Sequence, residues 1–201
     1  VRVVQLADGE IRTLDDVLKN SKNVNFSIGD PNSTSGFLVP TFYVFAQNNV
    51  DHRSAFKTVR NASHGANIQA VLAKQVDVAT NNTEDMGKLE TSKPELFQQL
   101  RVIWRSPLIP SDPFVWRKDL DPAVKAKLKS FVLNYAKNDP AEKAILNNIY
   151  SYDGFRESNN DQLIPIRQLE LFRDRRKAEG DEKLSADERA KQIAEIDRKL
   201  A

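Results

Sequence analysis

Residues 26–45 contain the pattern that most limits how this chain can fold, because a strand leads directly into a hydroxyl-rich turn and a helix. Alternating apolar residues at 26–28 predict a short strand. Gly29-Asp30-Pro31 ends it, since Gly permits unusual backbone angles and Pro cannot donate to a strand ladder. The apolar run 37–45 is long enough for a helix, and Pro40 is tolerated near its first turn. Between the turn and the helix lie three consecutive hydroxyl residues: Ser33, Thr34 and Ser35.

These hydroxyl residues occupy a position where proteins bind anions. A helix over residues 35–47 would begin beside them, and its unpaired N–H groups and positive dipole end attract negative charge. The loop contains no Lys or Arg, so dipoles rather than full charges would hold the ligand, which suits reversible binding. The simpler alternative is that Ser33 or Ser35 only caps the helix. Three hydroxyl groups exceed what one cap requires, and we therefore favour anion binding.

Strands and helices alternate through the first half of the chain, which predicts the α/β class with a mostly parallel sheet and helices on both faces. Ligands of such sheets lie beyond the carboxyl ends of the strands. The polar loops at 33–35, 63–64 and 82–84 should therefore share one edge of the sheet and form one candidate site. The apolar segments that predict strands are residues 1–4, 25–28, 56–59, 76–79 and 101–104.

The second half predicts a stiff connection, one more strand, two helices and a charged helical tail. Residues 106–113 are rich in proline and lead to a predicted strand at 114–118. Asp-Pro pairs begin helices expected over residues 122–137 and 140–150. From residue 164 the tail is helical, and four apolar residues have the spacing of a dimer contact or of a helix that packs on a lobe. These are Leu184, Ile193, Ile196 and Leu200.

The composition argues against several classes of protein. The 30 basic and 28 acidic residues give a net charge of +2, whereas a nucleic-acid-binding protein would show a concentrated basic stripe. No nucleic-acid partner is therefore expected. Without cysteine the chain has no disulfide, catalytic thiol or cysteine-bound metal. No apolar run approaches the length of a membrane span, and no signal peptide is recognised, which does not decide the compartment.

A few titratable residues are candidates for ligand contacts. His64 follows Ser63 at a predicted helix start, where it could donate to an anion or be an ordinary capping or exposed residue. His52 is expected to be a solvated loop residue. Glu84 and Asp112 would repel an anion unless the ligand also carries a cation. Their simpler roles are to favour a first helical turn and to form a turn before a proline, respectively.

Five collinear blocks resemble the substrate-binding proteins of phosphonate ABC transporters. The similarity covers nearly the whole chain, and several blocks are long and unusual in composition, which makes the resemblance specific. The blocks are Asp30-Pro31-Asn32-Ser33-Thr34-Ser35-Gly36, Val59-Arg60-Asn61-Ala62-Ser63-His64, Val78-Ala79-Thr80-Asn81-Asn82-Thr83-Glu84, residues 102–113 and residues 163–169.

The resemblance implies a fold of the type II periplasmic-binding-protein kind, with two lobes that close on the ligand. Residues 1–13 would form a crossover or hinge and residues 14–105 the ligand-binding α/β lobe, lobe 2. Residues 106–170 would form a second crossover and the returning part of lobe 1, and residues 171–201 a helical tail. The first part of lobe 1 would be absent from this chain. The implied location is the periplasm, or an extracytoplasmic, membrane-anchored position in a Gram-positive organism.

The resemblance also implies the site and its ligand. Ser33, Thr34, Ser35 and His64 would hold the phosphonate, and Glu84 and Asp112 the amine of 2-aminoethylphosphonate or a related alkylphosphonate. The protein would capture the ligand for a membrane permease without catalysis, cofactor or metal, and could form a homodimer through its C-terminal helices. The alternatives are a binding protein for phosphite, phosphate or another oxyanion, or, less favoured, an enzyme or sensor module on the same fold.

Overall fold

The computed structural model describes residues 1–149 and 151–200, which form two units. The first unit contains residues 1–109 together with the described residues from 164 onward, and the second contains Pro110–Leu163. The domain boundaries that the resemblance implies, at 13, 105 and 170, stay predictions. The predicted end of one helix, Tyr150, lies outside the described residues.

Five strands of the first unit form one mixed sheet in the order β3-β2-β4-β1-β5. Strand β2 pairs in parallel with β3 and β4, whereas β1 pairs antiparallel with β4 and β5. Four strands therefore point in one direction and β1 in the other. The predicted α/β class is confirmed, and the direction of β1 is the feature that the strand pattern did not reveal. The strands are β1 Arg2–Leu6, β2 Asn25–Ile28, β3 Thr58–Asn61, β4 Val78–Asn81 and β5 Leu100–Arg105.

The helices begin at the caps that the sequence provides. The Ser63 hydroxyl accepts from the N–H of Ala66 at the start of α3, and the Asn82 side chain does the same for α4. Asp121 and Asp139 cap α6 and α7, each followed by Pro at the first helical position. The α-helices are α1 Leu14–Lys19, α2 His52–Ala55, α3 His64–Leu72, α4 Thr83–Ser92, α5 Pro94–Phe97, α6 Pro122–Asn134, α7 Pro140–Asn148, α8 Ile164–Glu179 and α9 Ala186–Leu200.

The helix predicted over residues 35–47 is present as a widely wound helix, residues 34–48, which we call the seat helix. Two π-helical stretches, Thr34–Leu38 and Thr41–Phe45, make up most of it. Pro40 has no N–H and cannot donate to the carbonyl of Gly36, four residues earlier. That carbonyl accepts from the N–H of Gly29 and the hydroxyl of Thr80 instead, each at 2.8 Å. These two hydrogen bonds tie the first turn of the seat helix to Gly29 and to strand β4.

Helices cover both faces of the sheet, as the sequence predicts. Neighbouring residues of a strand point to opposite faces, and they fall into separate apolar clusters. Val3 and Val78 belong to a cluster in which the ring of Phe26 lies 5.4 Å from Phe45 and 4.7 Å from Phe56. The cluster on the other face contains Val4, Ile68, Ala70, Val71, Val76, Ala79, Met86 and Leu89.

The helical tail packs on itself and on the seat helix. Leu169 of α8 is buried with Leu38 and Val39, and the ring of Phe172 lies 4.8 Å from that of Phe42. Of the four apolar residues spaced along the tail, Ile196 is buried and the other three are half-buried, and α9 packs on α8. The homodimer stays a prediction. None of the described helices is long and apolar enough to cross a membrane.

The described residues of the second unit contain α6 and α7 but no strand, so the strand predicted at 114–118 is wrong. A strand needs a hydrogen-bonding neighbour, and the described residues of this unit provide none. Phe114 and Val115 are 76% and 84% exposed instead of being buried in a sheet.

Candidate functional site

The parallel strands β2, β3 and β4 end at one edge of the sheet, and the predicted polar loops follow them there. The 29–35 loop follows β2, the loop to His64 follows β3, and Asn82 follows β4. The Oγ atom of Ser35 lies 2.8 Å from Nε2 of His64, so two of the three loops touch. The predicted convergence is confirmed for this pair. We call residues 29–36 together with His64 the anion seat.

The hydroxyl groups of the loop have different roles. The Ser33 hydroxyl accepts from the N–H of Gly36 at 3.0 Å and caps the seat helix, so the capping alternative applies to this residue. Asp30 stabilises the preceding turn by accepting from the N–H of Asn32 at 2.8 Å. The Ser35 hydroxyl points to His64 instead of capping. Capping therefore accounts for one of the three hydroxyl groups.

Gly29 and Gly36 close the loop by direct contact of their backbones. The N–H of Gly29 donates to the carbonyl of Gly36, and a Cβ atom built on Gly29 would lie 2.5 Å from the Cα atom of Gly36. A Cβ atom on Gly36 would lie 3.1 Å from Cε1 of His64. Neither position therefore has room for a Cβ atom. The sequence had instead suggested that Gly29 is needed for an unusual backbone angle.

His64 is the first residue of α3 and is held in a largely dehydrated position. Its Nδ1 atom is buried and has no hydrogen-bond partner among the described residues. Burial lowers the pKa of His64 below its ordinary value, and the Asp85 and Glu84 carboxylates, with the nearby main chain of Thr80, partly oppose this effect. The imidazole is therefore neutral at pH 7, where one of its ring nitrogens donates and the other accepts.

The predicted carboxylates have different positions. Glu84 lies in the first turn of α4, where it is exposed, and its charge acts on both His64 and Arg2. Asp85, which the sequence analysis did not select, acts more strongly on His64 than Glu84 does. Asp112 belongs to the second unit, where it is exposed, and its role in the site stays a prediction.

Two arginines that the sequence analysis did not select lie at the same edge. Arg2 pairs across the sheet with Asn81 on one side and Arg105 on the other. Burial and the charge of Arg105 lower the pKa of Arg2, whereas Glu84 acts in the opposite direction. Glu84 thus has a cationic neighbour, and the edge carries charges of both signs. Neither arginine lies in a polar loop, which is why the loop pattern missed them.

Three polar residues at strand ends donate to main-chain carbonyls of the anion seat. Asn61 donates to Gly29 at 2.7 Å, Thr80 to Gly36 at 2.8 Å, and Asn81 to His64 at 2.9 Å. These three residues were not among the site residues predicted from the sequence. The sequence signal for them was their position at the ends of apolar strands. A polar residue that is buried there must find a hydrogen-bond partner, which indicates a structural role.

A buried polar network lies beneath the anion seat and connects residues of β2, β3, β4 and α3. Ser27 and Asn67 have no exposed surface, and the Ser27 hydroxyl donates to Asn67 at 2.5 Å. The Asn67 amide donates in turn to the carbonyl of Thr80 at 3.0 Å, and Arg60 donates to the Ser27 hydroxyl at 3.2 Å. A fully bonded buried network of this kind fixes the positions of its members.

One contact of the anion seat also occurs in hydrolases. A Ser hydroxyl beside a His ring resembles a nucleophile and its base, but such pairs have a third group that orients the imidazole. Nδ1 of His64 has no side-chain partner of this kind among the described residues, and the main chain of Thr80 is the group that acts on the ring by hydrogen bonding. Within the described ranges, no group of three or more His, Cys, Asp or Glu residues could hold a metal ion.

Comparison with known proteins identifies related sequences and structures. Residues 2–163 match the family described as the periplasmic substrate-binding protein of a phosphonate ABC transporter. The phosphonates-binding periplasmic protein of Escherichia coli strain K12 is 49% identical over 193 residues, which is 96% of this chain. The crystal structure of a binding protein component of a phosphonate ABC transporter from Pseudomonas aeruginosa is 47% identical over 99% of this chain, with a TM-score of 0.88.

A more distant relative comes from Prochlorococcus marinus strain MIT 9301. A probable phosphite-binding protein of an ABC transporter from this organism is 27% identical over 76% of this chain. A structure from the same strain, in complex with methylphosphonate, is 25% identical with a TM-score of 0.73 and covers 84% of this chain. This chain spans 56% and 52% of the two curated relatives and 65% and 64% of the two solved chains.

Proposed function

We propose that this chain, which belongs to the family of periplasmic substrate-binding proteins of phosphonate ABC transporters, captures an organophosphonate in the periplasm and delivers it to a membrane permease. Its relatives are named as binding components, and we propose capture without turnover for this chain as well. The relatives give no support to a membrane-anchored form. Lobe closure on the ligand would be a hinge motion, in which each lobe contributes contacts.

The anion seat is the proposed site of the phosphonate head group. The observation that carries this proposal is the 2.8 Å contact between Ser35 and His64, which joins the start of the seat helix to the start of α3. Two helix starts at one point combine the unpaired N–H groups and dipoles that favour an anion. Ser33, Thr34, Ser35 and His64 are the residues proposed to hold it.

The neutral state of His64 suits this role. When Nε2 carries the proton and donates to Ser35, the Ser35 hydroxyl is free to donate to a phosphonate oxygen. A bound phosphonate also favours protonation of His64, because an opposite charge stabilises the imidazolium. The seat can thus add positive charge when the ligand binds without presenting a fixed cation beforehand.

We propose 2-aminoethylphosphonate, or a related aminoalkylphosphonate, as the preferred ligand. Carboxylates beside an anion site weaken anion binding unless the ligand carries a compensating ammonium group. Glu84 lies near His64 and supports this choice, and the resemblance adds Asp112 as the second carboxylate. The second candidate is a ligand without an amine, such as methylphosphonate or phosphite, and the named ligands of the Prochlorococcus relative favour it.

A calorimetric panel on the full-length protein tests both candidates. We expect 2-aminoethylphosphonate to bind more tightly than methylphosphonate, phosphite and phosphate, and His64→Ala to weaken every phosphonate by tenfold or more. Recovery of unchanged ligand after long incubation would support capture, whereas release of inorganic phosphate would support an enzyme. If wild-type and His64→Ala protein bound phosphonates with equal affinity, the anion seat would not be the site of the head group.

A further inference from the structure

We infer that Asn61, Thr80 and Asn81 position the anion seat by binding the three main-chain carbonyl oxygens that border it. These carbonyls belong to Gly29 and Gly36, which close the hydroxyl loop, and to His64. The inference rests on the proposed function, because it assigns residues to the seat that would hold the phosphonate.

The three donors have a common place in the fold. Asn61 is the last residue of β3, Asn81 is the last residue of β4, and Thr80 directly precedes it. Each donates from its side chain to a carbonyl of the loop or helix start that follows a parallel strand at the same edge. The donor–acceptor distances are 2.7, 2.8 and 2.9 Å, within the range of good hydrogen bonds. The strand ends thus hold the loops through side chains.

The bonded carbonyls are the groups that would otherwise oppose an anion. A carbonyl oxygen carries partial negative charge, and one that is free to turn toward the ligand repels it. Pro40, four residues after Gly36, has no N–H and cannot donate to the Gly36 carbonyl. The carbonyl accepts hydrogen bonds from the N–H of Gly29 and the hydroxyl of Thr80. The N–H groups and hydroxyls of the seat then face the ligand without competing acceptors.

The donors themselves are held rigidly. Thr80 and Asn81 have no exposed surface, and the carbonyl of Thr80 accepts from the Asn67 amide at 3.0 Å. The side chain of Asn81 holds the main chain of His64, and that of Thr80 holds the seat helix. Thr80 and Asn81 of β4 therefore fix the distance between Ser35 and His64 before the ligand binds. A site that is ordered in advance loses less entropy on binding.

The test replaces the Thr80 hydroxyl while keeping the shape of the side chain. Thr80→Val removes the donor, Thr80→Ser keeps it, and Thr91→Val is the matched control. The Thr91 hydroxyl also donates to a glycine carbonyl, that of Gly87 at 3.0 Å, but near the end of α4 remote from the seat. Calorimetry on the full-length protein would use 2-aminoethylphosphonate and methylphosphonate, alongside the free energy of unfolding of each variant.

We expect Thr80→Val to weaken both phosphonates by about tenfold, since about 1.4 kcal/mol is a factor of ten and one lost hydrogen bond has that order. Both ligands should be affected alike, because the seat contacts the head group and not the amine. The affinity of Thr80→Ser should stay within about twofold of the wild-type value, and the affinity of Thr91→Val should equal the wild-type value. This rescue by the hydroxyl is a result that loss of packing alone would not give.

A second variant covers the case in which Thr80→Val does not fold. Asn61 is exposed, so Asn61→Ala should fold and still leave the Gly29 carbonyl without its side-chain donor; we expect about fivefold weaker binding. Wild-type affinity in both variants, or equal losses in Thr80→Ser and Thr80→Val, would overturn the inference alone. A wild-type protein that binds neither phosphonate would overturn the proposed function, and the inference with it.

Discussion

Gly29 and Gly36 lie so close that the N–H of the first donates to the carbonyl of the second at 2.8 Å. The six residues between them contain the hydroxyl groups of the seat, so this contact closes the loop at its base. A side chain at either position would force the two backbones apart. The size of the loop, and the direction of its hydroxyl groups, therefore depend on the absence of two Cβ atoms.

Gly36→Ala is expected to damage the seat more than the fold. The added Cβ atom would lie 2.9 Å from the Cα atom of Gly29 and 3.0 Å from Oγ of Ser33, so the loop must shift. We expect a loss of about 1–3 kcal/mol in the free energy of unfolding, as for overpacked sites, and more than tenfold weaker phosphonate binding. Chemical denaturation and calorimetry measure the two effects.

Gly87→Ala is the matched control for this substitution. Gly87 lies within α4, and nothing lies within 4 Å of a Cβ atom at this position. Ala should stabilise the helix by about 0.5–1 kcal/mol and leave the affinity unchanged. A Gly36→Ala protein with wild-type affinity would show that the loop can open without loss of function.

The sequence predicted the layout of the seat because its signals are local. A strand, a break, hydroxyl residues and an apolar run follow one another within residues 26–45, and each has a direct structural consequence. That the loops of Ser35 and His64 lie at one edge followed from one further rule, that parallel strands end at a common edge; the contact between the two residues was not predicted. The five strands predicted up to residue 104 and the seat helix are present, with changes of a few residues at their ends, whereas the strand predicted at 114–118 is not.

The features that sequence did not reveal depend on partners distant in the chain. The direction of β1 is set by its antiparallel pairing with β4 and β5, for which short strands give no signal. His52 was expected to be solvated but is buried, with its ring 5.3 Å from that of Phe45. The roles of Asn61 and Thr80 become visible only when their carbonyl partners are known.

The two histidines make the stability depend on pH. Burial lowers the pKa of both His52 and His64 in the folded protein. As the pH falls through about 6.5, the unfolded chain takes up protons that the folded protein resists, so the free energy of unfolding decreases. The slope is bounded by about 1.4 kcal/mol per pH unit for each histidine.

Denaturation at several values between pH 7.5 and 5.5 measures this slope; each value is well above the ordinary pKa of about 4 for carboxyl groups. We expect His52→Gln and His64→Gln each to flatten the curve, and the double variant to keep the part contributed by the Val1 ammonium, whose pKa burial also lowers. A steeper decline in the variants, or a wild-type stability that rises toward pH 5.5, would contradict the assignment of both pKa directions.

The tail should contribute to stability through its contact with the seat helix. Leu169 of α8 is 6% exposed and packs with Leu38 and Val39. Leu169→Ala should cost about 2–4 kcal/mol of unfolding free energy, as expected for truncation of a buried leucine. Leu108→Ala is the matched control, because Leu108 is fully exposed and its truncation should change stability by less than about 0.5 kcal/mol. Equal effects in denaturation would show that α8 does not support the seat helix.

The choice between an amine-bearing ligand and a simple phosphonate depends on Glu84. This residue is exposed in the first turn of α4, and its carboxylate acts on both His64 and Arg2. If it holds the ammonium group, Glu84→Gln should weaken 2-aminoethylphosphonate by about fivefold to tenfold, the order expected for a charge-assisted contact. The affinity of the Glu84→Gln protein for methylphosphonate should be unchanged or slightly higher, because a negative charge near the seat is removed.

Glu90→Gln changes an exposed residue of the same helix and is the control for the change in net charge. Calorimetry with the two ligands gives a ratio of affinities for each variant, and a ratio that Glu84→Gln leaves at the wild-type value would exclude Glu84 from the amine site.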